Sequence, residues 1–255
     1  MTREQLEKLQ EIIDGSKNII FFGGAGVSTE SGIPDFRSKD GLYNQHDVQF
    51  EEYEPEYLLS HECLAYNPKV FYEFYRQKMD ARGFEPNITH RVLAEMEAVG
   101  KLSAVITQNI DGLHQKAGSK NVIELHGTTK ENYCKNHCEI DPDFIFENNE
   151  PIPKCPHCGK PVRPNVVLYG EELPKKAIGD ALAAISSADC MIIGGTSLCV
   201  YPASYYVTYF RGDHLVIINK EEIPWKLDEK NDLQINDSLG SVFAEIEKIF
   251  GGNKS

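Results

Sequence analysis

The chain has 255 residues with 39 acidic against 26 basic side chains, a formal charge of −13, which repels a phosphate backbone and makes nucleic acid an unexpected partner. Its 41% hydrophobic and 25% charged content is that of a folded globular chain, one large domain or a domain carrying an insert, and not of a disordered or fibrous one. No apolar run reaches the roughly 18 residues that cross a bilayer, and the start Met-Thr-Arg-Glu-Gln has no apolar leader core, so no membrane contact and a cytoplasmic location are expected.

Thr2 and Gln5 form a capping-box pattern, and Leu6, Leu9, Ile12 and Ile13 recur at helical spacing until Gly15. Residues 18–22 read as a buried strand that breaks into Gly23, Gly24, Ala25 and Gly26, with a helix expected after the turn. Residues 38–86 are rich in Tyr, Phe and Glu without a strand pattern and read as an irregular or helical insert. Thr89 is the expected N-cap of the next helix, with Ile88 and Leu93 as a staple and Leu93, Met96 and Val99 on one face before Gly100. Apolar runs at 104–106, 122–125, 166–169, 190–193 and 215–218 read as further strands. Their alternation with helix-length stretches predicts an α/β fold with a parallel sheet.

Four of the seven cysteines are clustered: Cys134 and Cys138, then sixteen residues, then Cys155 and Cys158. This spacing gives four thiolates able to converge on a tetrahedral Zn²⁺, and four filled positions make such a site structural rather than hydrolytic. His137 stands where a two-residue spacing would place the second ligand, so a Cys3His set is the alternative. Lys130, Lys135, Lys154, Lys160 and Arg163 are too modest a basic set to make this module a nucleic-acid binder. Cys63, Cys190 and Cys199 are scattered and read as structural.

A glycine turn after a strand lets backbone N–H groups come close to a phosphate. Gly24-Ala25-Gly26-Val27-Ser28-Thr29 lacks the third glycine of a dehydrogenase fingerprint, and no acidic strand end follows at the usual distance, so ordinary hydride transfer is disfavoured. The polar stretch 26–38 ends in Ile33-Pro34-Asp35-Phe36-Arg37-Ser38. Later come Thr107-Gln108-Asn109-Ile110-Asp111-Gly112-Leu113-His114, Glu124-Leu125-His126-Gly127, Gly194-Gly195-Thr196-Ser197-Leu198 and Ile218-Asn219-Lys220. In this order, and with the cysteine pairs, these motifs resemble the sirtuins, the NAD-dependent protein-lysine deacylases, over roughly residues 18–243.

The resemblance implies a Rossmann-like parallel sheet with helices on both faces, built from 1–37, 87–127 and 165–255. It implies a small lobe made of the helical insert 38–86 and a zinc module 128–164. NAD is the implied co-substrate, Zn²⁺ a structural ion, and acyl-lysine peptides or proteins the partners. The acyl oxygen attacks C1′ of the nicotinamide ribose, and His126 acts as general base on a ribose hydroxyl that carries the acyl group onto ADP-ribose, with Asn109 and Gln108 beside the reactive ribose. Ala25, Gly26 and Thr29 are expected along the phosphates, Arg37 near the pyrophosphate or its ribose, Asp35 among the cofactor-binding residues, Phe36 at the nicotinamide pocket, and Ile110 and Asp111 on the carboxamide. Gly195, Thr196 and Ser197 are expected at phosphate and ribose, Asn219 at the adenosine ribose and Asp237 beside adenine. The peptide is expected to lie extended between Tyr169-Gly170-Glu171 and Cys199-Val200-Tyr201, with Val167, Phe36 and Tyr169 along the acyl-lysine stem.

Pro34-Asp35-Phe36 resembles members that remove acetyl groups. Tyr75 and Lys78 stand where succinyl- and malonyl-preferring members carry Tyr-x-x-Arg, so desuccinylation or demalonylation is an alternative. Mono-ADP-ribosyl transfer at the same site is another, and a non-catalytic NAD sensor or zinc-ribbon interaction module a third. His46, His61, His90, His114 and His214 are expected to be structural.

Overall fold

The computed structural model describes residues 1–36, 38, 41–42 and 49–251. The chain opens with α1 (Arg3–Gly15), closed by the expected capping box: Gln5 N donates to Thr2 Oγ1 at 3.1 Å and Thr2 N to Gln5 Oε1 at 2.8 Å. β1 (Ile19–Gly23) follows, wholly buried. Two short 3-10 turns, Ala25–Val27 and Thr29–Ser31, stand where a helix was expected. Gly32 is left-handed at φ 93° and Pro34 disfavours helix at the residue before it, so the segment cannot wind on.

The insert contains α2 (Pro55–Leu58), α3 (His61–Tyr66) and α4 (Pro68–Lys78), two of them started by a proline whose missing N–H costs nothing at a helix N-terminus. α5 (Ile88–Ala98) is capped by Asn87 and not by Thr89: Thr89 N donates to Asn87 Oδ1 at 3.0 Å, and Asn87 N to His90 Nδ1 at 3.3 Å. An amide carbonyl one residue before the helix wins over a hydroxyl already inside its first turn. Then come β2 (Leu102–Thr107), α6 (Leu113–Ala117), β3 (Val122–Glu124), β4 (Gly127–Cys134), α7 (Phe144–Glu147), β5 (Val162–Val166), α8 (Lys175–Ser187), β6 (Cys190–Gly194), α9 (Ala203–Tyr206), β7 (His214–Asn219), β8 (Leu233–Asn236) and α10 (Leu239–Gly251).

Six strands form a parallel sheet in the order β3-β2-β1-β6-β7-β8. Taken in chain order this is 3-2-1-4-5-6, the doubly wound arrangement. Alternation along β1 divides the core: Ile19 and Phe21 face Leu9, Leu93, Met96 and Phe243 of α1, α5 and α10, while Ile20 and Phe22 face Ala181, Ile185 and Val207 on the other side. The expected strand at 166–169 is displaced. Residues Val162–Val166 instead pair antiparallel with β4, and the chain turns at once after them, with Glu171 N on Leu168 O at 2.9 Å and Gly170 at φ 88°.

The two-stranded ribbon and the insert share one core, in which Phe71, Tyr72, Phe74 and Tyr75 of α4 pack with Cys134, Ile145, Cys155 and Val162. Tyr72 Oη donates to Val162 O at 2.6 Å, and Arg76 Nε to Ile145 O at 2.9 Å. Tyr75 is fully buried and stacked on Phe71 (5.8 Å, 17°) and Phe146 (5.4 Å, 15°), its hydroxyl without a partner. Removing an unpartnered buried hydroxyl recovers about 1 kcal/mol. Tyr75→Phe is therefore expected to raise the melting temperature by about 2–4 °C, read by calorimetry.

Candidate active site at the strand crossover

Strand order reverses between β1 and β6, and in such sheets the crevice at the carboxyl ends of those strands receives the ligand. The loops leaving the two strands pack directly on each other. Gly26 N donates to Gly195 O at 2.8 Å. A Cβ on Gly26 would lie 2.7 Å from Gly195 Cα, one on Gly24 2.8 Å from Thr196 Cβ, and one on Gly195, itself at φ +60°, 2.5 Å from Val27 N. These glycines are required first by loop packing. The Gly26 amide is already engaged, so it is not one of the N–H groups that the bare glycine turn suggested for a phosphate. Thr29 Oγ1 closes the turn on Gly26 O at 3.0 Å.

Behind this cradle the segment after β2 is held atom by atom. Gln108 N donates to Gly23 O at 3.0 Å, and Gln108 Nε2 to Thr196 Oγ1 at 3.2 Å, which also accepts Leu198 N at 3.2 Å. Asn109 Nδ2 donates to Ser28 Oγ at 3.0 Å, and Ser28 Oγ to Asp111 Oδ2 at 2.7 Å, while Asp111 Oδ1 accepts Leu113 N at 2.8 Å. Burial raises the Asp111 carboxyl above its ordinary range, and the bonds from Leu113 and Ser28 oppose that rise. Ser28 joins Asn109 to Asp111 and was missed from sequence; its only signal was a small polar residue two positions beyond the last glycine. Ile110 O accepts both Thr129 N and Thr129 Oγ1 at 2.9 Å.

His126 follows β3, and its Nδ1 lies 2.9 Å from Gln108 O. A carbonyl only accepts, so Nδ1 carries the proton and Nε2 keeps the lone pair. Burial lowers the His126 pKa below its ordinary value, and the bond to Gln108 raises it back in part. The imidazole is thereby neutral and oriented at neutral pH, the state a general base needs.

The remaining expected residues are more dispersed. Asp35 Oδ1 accepts Ser38 N at 2.8 Å, and Asp35 O accepts Leu42 N at 2.7 Å, so this side chain holds its own turn. Phe36 packs on the lobe core. Arg37 and His46 lie outside the described residues. Ala25 is half-buried and Ser197 exposed. Asn219 Nδ2 donates to Glu221 O at 2.9 Å at the end of β7. Beyond β8, Asp237 binds the Met1 ammonium at 2.5 Å and Ser238 N at 2.8 Å, and the first of these holds its carboxyl low.

On the expected peptide lip, Val167 N donates to His126 O at 2.8 Å. Both Tyr169 backbone groups are engaged with the insert, its N–H on Leu59 O at 3.0 Å and its carbonyl on His61 N at 2.9 Å. The Glu171 carboxylate binds Arg163 (2.8 and 3.0 Å), Leu168 N (3.0 Å) and His61 Nδ1 (3.0 Å). It braces the lip around Gly170. Burial alone would raise its pKa, yet these donors pull it down to about 2. A depressed carboxylate adds stability that is present above its unfolded pKa of about 4.3 and lost as pH falls toward 2. Arg163→Met is expected to cost about 1–3 kcal/mol at pH 7, with the gap from wild type closing toward pH 2–3 in urea titrations. The opposite lip carries half-buried Val200 and exposed Cys199 and Tyr201.

The Sγ atoms of Cys134, Cys138, Cys155 and Cys158 all lie within 4.8 Å of one another, with Cys134 and Cys158 3.7 Å apart. A tetrahedron with Zn–S bonds of 2.3 Å has an edge of about 3.8 Å, so the donor set fits zinc. His137 is exposed and left-handed at φ 53°, its N–H on Cys134 O at 2.9 Å. That turn absorbs the third intervening residue and brings Cys138, not His137, into the cluster. Among the described residues no other group of three or more His, Cys, Asp or Glu converges in this way.

The Sir2 family model matches residues 24–202. The NAD-dependent protein deacetylase of Clostridium perfringens is 52% identical over 246 residues, covering 95% of this chain and 98% of that protein. The enzyme of the same name from Clostridium tetani is 49% identical over 247 residues, covering 96% and 98%. Among solved structures, Sir2 bound to acetylated peptide aligns with a TM-score of 0.81 at 34% identity, covering 96% of this chain and 98% of that one. Sir2 with a p53 peptide and NAD⁺ aligns at 0.79 and 36% identity, covering 97% and 99%. With the doubly wound sheet, the crossover cradle and the cysteine cluster already in place, these matches make the chain a member of the Sir2 family.

Proposed function

We propose that this protein is an NAD-dependent protein-lysine deacetylase. The observation that carries the reading is His126, neutral and fixed by Gln108 O so that Nε2 is the free base, on the same segment contacts that hold Asn109 and Asp111. NAD, when bound, supplies an electrophilic C1′ with nicotinamide as leaving group, and its ribose accepts the acetyl group as O-acetyl-ADP-ribose. The residues of the cradle fit such a cofactor: two interlocked glycine loops, Thr196 and Ser197 at a strand end, and a buried carboxylate next to an amide side chain. Ser28 sets the Asn109 amide with its oxygen free to orient a ribose, and Gln108 ties that segment to the β6 loop. His126 Nε2 takes the proton of the ribose hydroxyl. Cys134, Cys138, Cys155 and Cys158 would hold a structural Zn²⁺ away from this chemistry.

The domain division is part of the same reading, with 1–37, 87–127 and 165–255 as the nucleotide-binding unit and 38–86 with 128–164 as the lobe. The shared core of α4 and the cysteine ribbon supports it. The substrate is an acetyl-lysine peptide lying between the 169–171 and 199–201 lips. Relatives with bound acetylated peptide support this. Among the described residues no helix is long and apolar enough to cross a membrane, and a cytoplasmic location belongs to the same reading, a reducing compartment keeping the four clustered cysteines available as metal ligands.

Acetyl preference over succinyl follows from Tyr75. Its ring is stacked between Phe71 and Phe146 inside the lobe core, which supports reading Tyr75 as packing and not as a carboxylate-binding group. Matched acetyl- and succinyl-lysine peptides incubated with protein and NAD test the reading by mass spectrometry. Equal amounts of free-lysine peptide, nicotinamide and O-acetyl-ADP-ribose are expected from the acetyl peptide, and Tyr75→Phe should change the acetyl-to-succinyl ratio less than two-fold. Nicotinamide release without peptide change would instead mean ADP-ribosyl transfer or NAD hydrolysis.

A further inference from the structure

Exposed aromatic side chains gather beside the proposed peptide cleft. Tyr169 and Tyr201 stand on its two lips, and Tyr205 and Tyr209 continue from Tyr201 along α9 and the 3-10 turn Val207–Tyr209. The four-residue spacing places them on one face, because Ala203 and Val207 on the other face are buried against the sheet. Tyr201, Tyr205 and Tyr209 are 76%, 50% and 43% exposed. Their rings touch in series, with centroids 6.3 Å apart at 51° and 5.7 Å apart at 88°.

We infer that this row extends the peptide cleft and receives arginine side chains at alternate positions of the substrate beyond its acetyl-lysine, an assignment that rests on the deacetylase reading above. An extended peptide presents same-side residues about every 6.6 Å, close to the ring-to-ring steps. Tyrosine faces attract guanidinium groups, each contact supplying a several-fold gain in affinity. The rings have few torsions to freeze on binding. The chain's charge of −13 favours a cationic flank and disfavours a second copy of the same chain on this face.

The test compares acetyl-lysine peptides carrying arginine at the second and fourth positions, on the amino or the carboxyl side, with alanine versions. Wild type, Tyr205→Ala/Tyr209→Ala and Tyr205→Phe/Tyr209→Phe are assayed for kcat and KM. The alanine double variant should lower the arginine-to-alanine ratio of kcat/KM about 5–20-fold, through KM, for one of the two flanks. The phenylalanine variant, which keeps the rings, should stay within two-fold of wild type. An unmoved ratio, or an equal loss on both peptides, overturns the inference. So does a dimer lost in the alanine variant while the ratio holds, which assigns the row to self-association. If wild type deacetylates no peptide, the deacetylase reading fails by itself. Fluorescence anisotropy of the labelled peptides then decides the row: 5–20-fold weaker binding of the arginine peptide to the alanine variant supports it, and equal binding overturns it.

Discussion

Replacing His126 with Ala is expected to lower kcat for deacetylation by about 10²–10⁴-fold, the usual contribution of a positioned general base. NAD affinity should change only a few-fold, because the hydrogen bond that the imidazole makes is to the chain's own Gln108 carbonyl. Rapid-mix assays of kcat with isothermal titration of NAD separate the two quantities. Retention of more than a tenth of wild-type kcat would remove His126 from the chemistry. The pH profile gives an independent reading of the same group. Activity requires Nε2 unprotonated, and burial lowers the His126 pKa. The acidic limb of kcat/KM in wild type is thus expected below the ordinary histidine value of about 6.5, with rate lost as pH falls through it. A limb at 7 or above would mean that another group titrates.

Removing the metal, by chelation or by Cys155→Ser, is expected to unfold the whole lobe and not the ribbon alone. A structural zinc contributes roughly 10–16 kcal/mol of apparent binding energy, against a typical domain stability of about 5–15 kcal/mol. Cys134 and Cys155 sit in one core with Phe71, Tyr72 and Tyr75. Loss of the tetrahedron therefore removes the support of α4 as well as that of β4 and β5. Limited proteolysis should open cleavage in both 128–164 and 49–86, with peptide turnover falling to near background. If the chelated protein melts and turns over as before, the cysteines do not hold a metal that matters to the fold.

Local patterns in the sequence were enough for five of the six strands of the main sheet and for the cysteine cluster. β1, β2, β6 and β7 are continuous apolar runs because both faces of a parallel sheet are covered, and Thr2 and Gln5 cap α1 through neighbours three residues apart. Features set by distant contacts were not legible. Thr89 has the side chain of a cap, but Asn87 takes that place, its side chain also binding Val27 O and Ser31 Oγ across the loop. The apolar run 166–169 has strand composition, yet Glu171 pulled back by Arg163 folds it into a turn. β8 has four residues of simple alternation, too few to stand out from its polar surroundings. Ser28 gains its role only when Asn109 and Asp111 arrive from the next crossover.

The interlocked loops at the crossover limit what protein engineering can do with this pocket. Enlarging a buried position is usually rescued by trimming its neighbour, but the neighbour of Gly26 is Gly195, which has no side chain to trim, and its backbone is already the contact. Positions 26 and 195 therefore form a pair closed to compensatory exchange from either side. A library meant to admit bulkier cofactor analogues has to leave both untouched and open space at exposed Ser197 or along the strand ends beyond it.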